Sequence, residues 1–487
     1  MTYVHAPRVN HSCNNTGICA SKSMTNRRKF VSALLASCFA GYSDKVVQAS
    51  PPHLPNFVLL LADDLGYGDL SCYGSTNIHT PNLDRMAKEG AQLEEFYAFP
   101  TCTPSRAALL TGRYPLRSGM TRVLAPHEHF GLPDTEITLG QALEKRGYAT
   151  ACIGKWHLGD MPRYAPNRHG FEYFYGLHYS NDMTLPLVDW PPVRLYRNQT
   201  IVESPAQQST LTKRYTEEAI GFIDRNKNRP FFLYLPYTMP HIPLAASSDF
   251  RGKSPYGLYG DAVDEIDWSV EQILTSLKTR GLDQNTVVVF TSDNGPAIRT
   301  EFVARAGSAG PFRGGKGTTW EGGTRVPCIV RWPDRVPSGL KLNGIASLID
   351  IFPTFIELAG GTLPRDRVID GKSLIAWLEG KAPSPEREFF YYSGRRLFAV
   401  RDAEWKLHFI KRTRGPKGHL STPVYCHAPE LYDLVKDPGE KQDVAAEHPE
   451  IVTRLSRIAV DFQATMKPGE LPPPFWKTFL PRLHTAG

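Results

Sequence analysis

Residues 57–62 form an unbroken apolar run that ends in Asp63-Asp64, and residues 286–290 form a second that leads through Thr291 and Ser292 to Asp293-Asn294. A strand with one face in water alternates apolar and polar side chains. A continuous run is what a strand covered on both faces requires, and such strands belong to parallel sheets flanked by helices. From Asn56 onward, short β-rich runs alternate with helical segments, so the chain reads as an α/β fold with a large mixed, mostly parallel sheet. Helices are expected over 82–88, 139–146, 212–225 and 262–279, three of them stopped by Gly90, Gly147 and Gly281. Proline-rich stretches at 186–192 and 383–385 read as a long loop and a linker. Runs at 389–392, 397–401 and 406–410 then predict a small antiparallel sheet, and 449–464 a final helix. This divides the chain into a leader (1–49), a large α/β domain (54–385) and a smaller C-terminal subdomain (386–487).

With 41% hydrophobic residues the chain can bury a large core. Its formal charge of +7 is concentrated at the start, where residues 1–50 carry six Lys/Arg against one Asp and leave only about +2 for the rest. That is no basic footprint for nucleic acid. Arg27-Arg28-Lys29 precede an apolar run at 30–40, the order of an export signal and too short for a permanent span. The route stays open among three patterns: a twin-arginine pair, a lipobox-like Leu35-Ala36-Ser37-Cys38, and a cleavage site at Val47-Gln48-Ala49. Each implies export, to a periplasmic, secreted or lipoprotein-anchored state. Met24 offers an alternative start. No later segment is apolar enough to span a bilayer, so no transmembrane body is expected. Past the leader, five cysteines remain: Cys72, Cys102, Cys152, Cys328 and Cys426. If Cys102 is set apart, the other four allow at most two disulfides or four buried thiols, and their wide spacing excludes a compact zinc site.

Ligand sites of open α/β sheets lie at the carboxyl ends of strands, where the two acidic pairs fall. Adjacent aspartates repel, and tend to hold one proton, unless a cation sits between them. Asp63, Asp64, Asp293 and Asn294 offer only oxygen, which suits Ca²⁺, with Mg²⁺ the alternative, and disfavours zinc. Taken singly, each pair has a plainer use as a turn or helix cap; its recurrence at two equivalent strand ends favours the metal. A third run, 149–153, leads into Gly154-Lys155-Trp156-His157, and a fourth, 231–235, toward His241-Ile242-Pro243.

The most specific segment is Cys102-Thr103-Pro104-Ser105-Arg106, followed by Leu109-Leu110-Thr111-Gly112-Arg113. Pro104 suits the first turn of a helix that 105–110 continue and Gly112 ends. Residue 102 then lies at a helix N-terminus, where free N–H groups and the dipole favour an anion, with Arg106 one turn on. The segment resembles the C-x-P-S-R and L-L-T-G-R signature of the formylglycine-dependent sulfatases, in the branch around arylsulfatase A and N-acetylgalactosamine-6-sulfatase. The resemblance runs from residue 56 to about 440. It takes in Asp63-Asp64-Leu65-Gly66-Tyr67-Gly68-Asp69, Thr80-Pro81-Asn82-Leu83-Asp84-Arg85, Gly154-Lys155-Trp156-His157-Leu158-Gly159, the weaker Tyr179-Ser180-Asn181-Asp182, His241, Asp293-Asn294-Gly295 and the lysine motif at 315–323. It fails in the leader and over 185–208.

This resemblance implies an alkaline-phosphatase-like sulfatase fold and conversion of Cys102 to formylglycine by a formylglycine-generating or other maturing enzyme. It implies catalytic roles for Cys102, Arg106, Lys155, His157, His241 and Lys316. Substrate contacts fall to Ser180, Lys155, His241 and Lys316, and metal contacts to Asp63, Asp64, Asp293, Asn294 and the modified residue 102. A sulfate monoester spreads its charge over three oxygens that repel a nucleophile, so the site must be electropositive. A thiolate attacking sulfur would form an intermediate with no easy exit. A hydrated aldehyde attacks with one hydroxyl and expels sulfate with the other. His241 or Lys316 would protonate the leaving alkoxide, and His157 would act as base in the second step. The substrate expected is a sulfated carbohydrate, with aryl sulfate as surrogate. Two other readings stay open: a phosphatase or phosphonate monoester hydrolase of the same superfamily, and a noncatalytic sulfated-glycan binder whose Cys102 is never converted. Oligomeric state has no signature in the chain.

Overall fold

The first strand, β1 (Asn56–Ala62), is buried along its whole length. Its side chains alternate between two cores, with Val58, Leu60 and Ala62 on one face and Phe57, Leu59 and Leu61 on the other. This alternation is why a continuous apolar run is stable here, since water reaches neither face. The structure is a computed structural model that describes residues 54–184, 190–298, 307–413 and 420–466. The expected leader, 1–49, lies outside the described residues.

Ten further strands join β1: β2 (Ala91–Tyr97), β3 (Ala149–Lys155), β4 (Tyr173–Leu177), β5 (Leu195–Arg197), β6 (Thr200–Glu203), β7 (Phe231–Pro236), β8 (Thr286–Ser292), β9 (Arg325–Arg331), β10 (Leu340–Leu342) and β11 (Ala346–Ser347). Their order is β10-β2-β9-β8-β1-β7-β3-β4-β5-β6, with β11 also beside β2. The centre, β8-β1-β7-β3-β4, is parallel throughout. Antiparallel pairs arise where β9 lies between β2 and β8 and at the β4-β5-β6 edge. The register pairs Ala62 with Ser292, so Asp63 and Asp293 leave the sheet level with each other. Helices Pro81–Lys88, Leu211–Asn226 and Gly257–Thr279 cover one face, while Cys102–Thr111, Leu139–Glu144 and Ile351–Leu358 cover the other.

The expected helices are all present. The one predicted over 262–279 begins five residues earlier, because Gly257 and Gly260, poor helix formers, mask its first turn. The expected loop at 186–192 leads into regular structure within the stretch 185–208, where the resemblance fails. Residues 185–189 lie outside the described residues, but β5 and β6 form a hairpin on the edge of β4. Both strands are short and largely exposed, so they carry no apolar run.

The second sheet is an antiparallel meander of β12 (Phe389–Ser393), β13 (Arg396–Arg401), β14 (Trp405–Lys411) and β15 (Val424–Asp433). The last strand is not apparent in the sequence because its first half is mostly exposed and Pro429, which cannot donate to a ladder, falls inside the strand. Helix Pro449–Ala464 closes this sheet through Phe462, stacked on Phe390 at 3.7 Å between ring centroids. The same core takes in Tyr97, Phe99 and Ala108, which tie it to the helix carrying Cys102. Among the described residues all five cysteines of the body are free thiols, so of the two alternatives left open the structure shows thiols and not disulfides, with Cys72 only partly buried. No helix among the described residues is long and apolar enough to cross a membrane.

Candidate active site at the strand ends

The turns after β1, β7 and β8 are tied to one another by hydrogen bonds. Asp293 N donates to Ala62 O at 3.1 Å, Asp63 N to Met239 O at 3.1 Å, and Asp64 N to the Asp293 carboxylate at 3.1 Å. Asp64 takes a left-handed backbone (φ 65°), as does His157 (φ 58°). For residues with a Cβ this conformation is uncommon, costs energy and concentrates at functional sites. Gly154, before Lys155, has φ 130°, and a Cβ there would lie 1.9 Å from Pro236 O. Only glycine brings β3 this close to the end of β7.

Cys102 opens its helix and is buried. The chain before it is clamped by Ser105, whose hydroxyl accepts from Phe99 N and donates to Phe99 O, both at 3.0 Å. Gly112 ends the helix in the left-handed region, and its N–H donates to Ala108 O at 2.9 Å. Burial pushes the Cys102 thiol up, against the pull of Lys155 and Lys316, so the group is a thiol rather than a thiolate. One turn on, Arg106 donates through Nε and Nη2 to one Asp293 oxygen, at 3.0 and 2.8 Å, and through Nη1 to Lys155 O at 2.6 Å. The expected sulfate-neutralising arginine thus has its fork turned onto Asp293 and the β3 backbone.

Lys155 Nζ bridges Asp63 Oδ2 at 2.5 Å and Ser180 Oγ at 3.0 Å. Lys316 Nζ lies 2.6 Å from Asp64 Oδ1, which also accepts from Asn294 Nδ2 at 2.7 Å. His241 Nε2 is 3.5 Å from Asp64 Oδ2, and its Nδ1–H donates to Ile242 O at 2.5 Å. Three buried oxygens, Asp63 Oδ1, Asp64 Oδ2 and Asn294 Oδ1, have no hydrogen-bond partner among the described residues. Buried polar atoms are nearly always satisfied, so three orphans together ask for a partner that is not a side chain. Asp63, Asp64 and His241 can each present a ligand atom within 4.8 Å of the others. The orphans are hard oxygen donors, the set that fits Ca²⁺ or Mg²⁺.

The electrostatics agree. Burial raises Asp63, but Lys155, His241, Arg106 and Lys316 together hold it well below the usual carboxylate range. Burial likewise opposes ionisation of Asp64, and Lys316 and His241 overcome it against the charge of Asp63. Asp293 is pushed up to about 6 by burial and by Asp63, more than Arg106 and Lys155 pull it down. Three crowded carboxylates are the situation a cation relieves.

His157 Nε2–H donates to Leu124 O at 3.0 Å, which leaves Nδ1 buried with no partner. Burial, then Lys155 and Arg106, keep its imidazole neutral. Cys102, His157, Ser180, His241, Lys316 and Asp64 share one open pocket of about 720 Å³. Thr101, Val123, Met183 and Leu420 also line it, and the sequence marks none of them, because single apolar or small residues carry no motif. Leu420 comes from beyond residue 386, so the second region supplies part of the wall. The Lys316 loop is pinned to the cysteine segment by Gly317 N donating to Pro100 O at 2.7 Å.

Comparison with known proteins adds independent findings. A family model described as Sulfatase matches residues 55–361, and one described as the C-terminal region of aryl-sulfatase matches residues 384–472. Steryl-sulfatase of Mus musculus is 37% identical, over 92% of this chain and 90% of its own. N-acetylgalactosamine-6-sulfatase of Canis lupus familiaris is 39% identical, over 87% and 88%. The crystal structure of the PsFucS1 sulfatase from Pseudoalteromonas sp. superposes with a TM-score of 0.79 at 31% identity, covering 87% of this chain and 92% of that one.

Proposed function

The chain belongs to the sulfatase family and is a sulfuric ester hydrolase, and on that premise we propose that it hydrolyses sulfate monoesters of sulfated carbohydrates through a formylglycine made from Cys102 beside a bound calcium ion. The observation that carries this reading is the trio of buried oxygens without a hydrogen-bond partner among the described residues, Asp63 Oδ1, Asp64 Oδ2 and Asn294 Oδ1, of which Asp64 lines the pocket that Cys102 also lines.

Asp63, Asp64, Asp293 and Asn294 would hold the ion, with the residue at 102 adding an oxygen. Bound there, it supplies Lewis-acid stabilisation of charge on the sulfate oxygens. Formylglycine supplies, as its hydrate, a hydroxyl that attacks sulfur and a second that expels sulfate. Lys155 and Ser180, already in contact at 3.0 Å, bind the sulfate oxygens. Arg106 keeps Asp293 in place. In its protonated form His241, with Nδ1–H on Ile242 O, carries a second proton on Nε2 to give to the leaving oxygen. Lys316 binds the same edge of the ester and shares that role. Nδ1 of His157, neutral and partnerless, accepts a proton in the step that releases sulfate.

The reading includes export through the leader and maturation by a formylglycine-generating enzyme. It is tested by mass spectrometry of the Cys102 peptide, which should show aldehyde in place of thiol, and by rates on a matched sulfate and phosphate ester. Active protein with an intact thiol would overturn the mechanism. Preference for the phosphate ester would return the chain to phosphoryl chemistry.

A further inference from the structure

We propose that the pocket on the β12–β13 hairpin is a second anion subsite, which holds a sulfate ester on a sugar further along the substrate while the scissile ester sits at Cys102. This deepens the carbohydrate-sulfatase reading above and rests on it.

The pocket, an open space of about 650 Å³, is lined by the turn Ser393-Gly394-Arg395-Arg396 with Phe398, Arg412 and Pro423, and no acidic side chain is among these lining residues. Neither Arg396 nor Arg412 has a carboxylate within ion-pair distance among the described residues, although most arginines of this protein that are not fully exposed do, such as Arg113, Arg331, Arg387 and Arg401. Nε of Arg412 is buried with no hydrogen-bond partner among the described residues. Phe398 lies under the Arg412 guanidinium and Tyr425 under that of Arg396, each 5.8 Å away, and these rings orient the two forks. Burial, and then the charge of Arg396, lower the proton affinity of Arg412. Two like charges held together without a counter-ion are unfavourable until an anion joins them. Planar guanidinium forks match the paired oxygens of a sulfate ester.

The pocket also connects to the reaction centre. Ser393 and Gly394 line, on their other side, a narrow cleft whose far wall is Thr101 and Pro104, and Thr101 lines the active-site pocket. A sugar chain that reaches both sites would run over the surface between Thr101 and the Ser393-Gly394 turn. An alcohol bearing one sulfate and no further anion could not use both ends, so the arrangement selects multiply sulfated oligosaccharides.

The test uses the full chain, a fluorescently labelled chondroitin 6-sulfate hexasaccharide as binding probe and 4-nitrophenyl sulfate as small substrate. The variant Arg396→Gln/Arg412→Gln should bind the hexasaccharide at least about tenfold more weakly, as expected from losing charge-assisted contacts, and with a shallower salt dependence. Its melting temperature and its kcat/KM on 4-nitrophenyl sulfate should stay at wild-type values. Arg396→Lys/Arg412→Lys should recover part of the affinity. Competition by sodium sulfate, compared with sodium chloride at equal ionic strength, separates free sulfate from an ester on the chain; displacement by sulfate alone at equimolar concentration would overturn the glycan assignment. Unchanged affinity in the glutamine variant, or no binding by wild type, overturns the subsite while 4-nitrophenyl sulfate turnover leaves the sulfatase reading standing. Loss of binding in the variant with no turnover by any form supports the subsite and removes the catalytic reading.

Discussion

Glu440 accepts the backbone N–H of Glu321 at 2.7 Å, and that bond links the region of the second sheet to the loop carrying Lys316. The other Glu440 oxygen takes His408 Nε2 and Lys406 Nζ, each at 2.9 Å, and Lys406 reaches back to Thr319 O at 2.8 Å and to Glu321 at 2.9 Å. All these groups are buried. A buried network stays stable only while every member is paired, and removing one partner of such a pair costs about 3–5 kcal/mol. Glu440→Gln is therefore expected to lower stability by about that amount and to reduce kcat through a displaced Lys316. Urea unfolding and kinetics on an aryl sulfate check both; an unchanged unfolding midpoint would mean the network does not hold the loop.

Metal content tests the oxygen cluster. Asp63→Ala removes an orphaned oxygen together with the Lys155 partner, and Asp293→Ala frees Arg106 as well. Either variant should lose bound calcium and activity together, since a hard cation needs the full charge and ligand count. Chelation of the wild type should abolish turnover, and calcium should restore it. Full calcium occupancy in both variants by elemental analysis would make the carboxylates turn caps.

Cys102→Ala and Cys102→Ser should both be inactive and fully folded, because neither side chain can form the aldehyde hydrate. Both replacements are small, so the buried helix start should tolerate them. Protein whose Cys102 has not been converted should resist iodoacetamide in the native state near neutral pH, since burial keeps the group a thiol. Rapid alkylation there would contradict the buried geometry.

Much of this site is legible in the sequence for a physical reason. Asp63-Asp64 and Asp293-Asn294 follow buried strands, and a parallel sheet brings the carboxyl ends of neighbouring strands together whatever the intervening chain does. Cys102 and Arg106 stand out because a proline, a helix stop and an arginine one turn on mark the helix start. Arg106 shows the limit: its presence at the site is expected, but its fork on Asp293 depends on a register between strand and helix that no local pattern encodes. Leu420 and Glu440 act from far along the chain through tertiary contacts, and single residues of ordinary type carry no periodicity. The β5–β6 hairpin escapes for the related reason that exposed edge strands need no apolar run.

His178 sets an acid limit on stability. Its ring is stacked between Phe174 and Tyr196, at 5.3 and 4.1 Å, and neither ring nitrogen has a partner. Burial alone lowers its pKa from 6.5 to about 4. The unfolded chain therefore binds a proton more readily than the folded one, and stability contributed by the neutral ring is complete above pH 6.5 and lost as pH falls toward 4. At about 1.4 kcal/mol per pH unit the loss reaches roughly 3 kcal/mol. His178→Phe should flatten that part of the profile and raise the melting temperature at pH near 5 relative to wild type. Parallel stability curves for the two proteins from pH 7 to 4 would show that His178 is not the group that titrates.

The assignment of His241 and Lys316 to the leaving group predicts a dependence on substrate. His241 Nε2 and Lys316 Nζ both reach Asp64, and both line the pocket that Cys102 also lines. A nitrophenolate leaves without help, whereas a sugar alkoxide is too basic to leave unprotonated. General acid assistance is worth about a hundredfold to ten-thousandfold where it is needed. His241→Ala or Lys316→Ala, whichever removes the acid, should therefore cost kcat by about that factor on a sulfated sugar and far less on 4-nitrophenyl sulfate. A residue that only binds sulfate contacts the same group in both substrates and would depress both rates equally. If neither variant discriminates between the substrates, the proton comes from elsewhere, and His241 and Lys316 serve the sulfate rather than the alcohol.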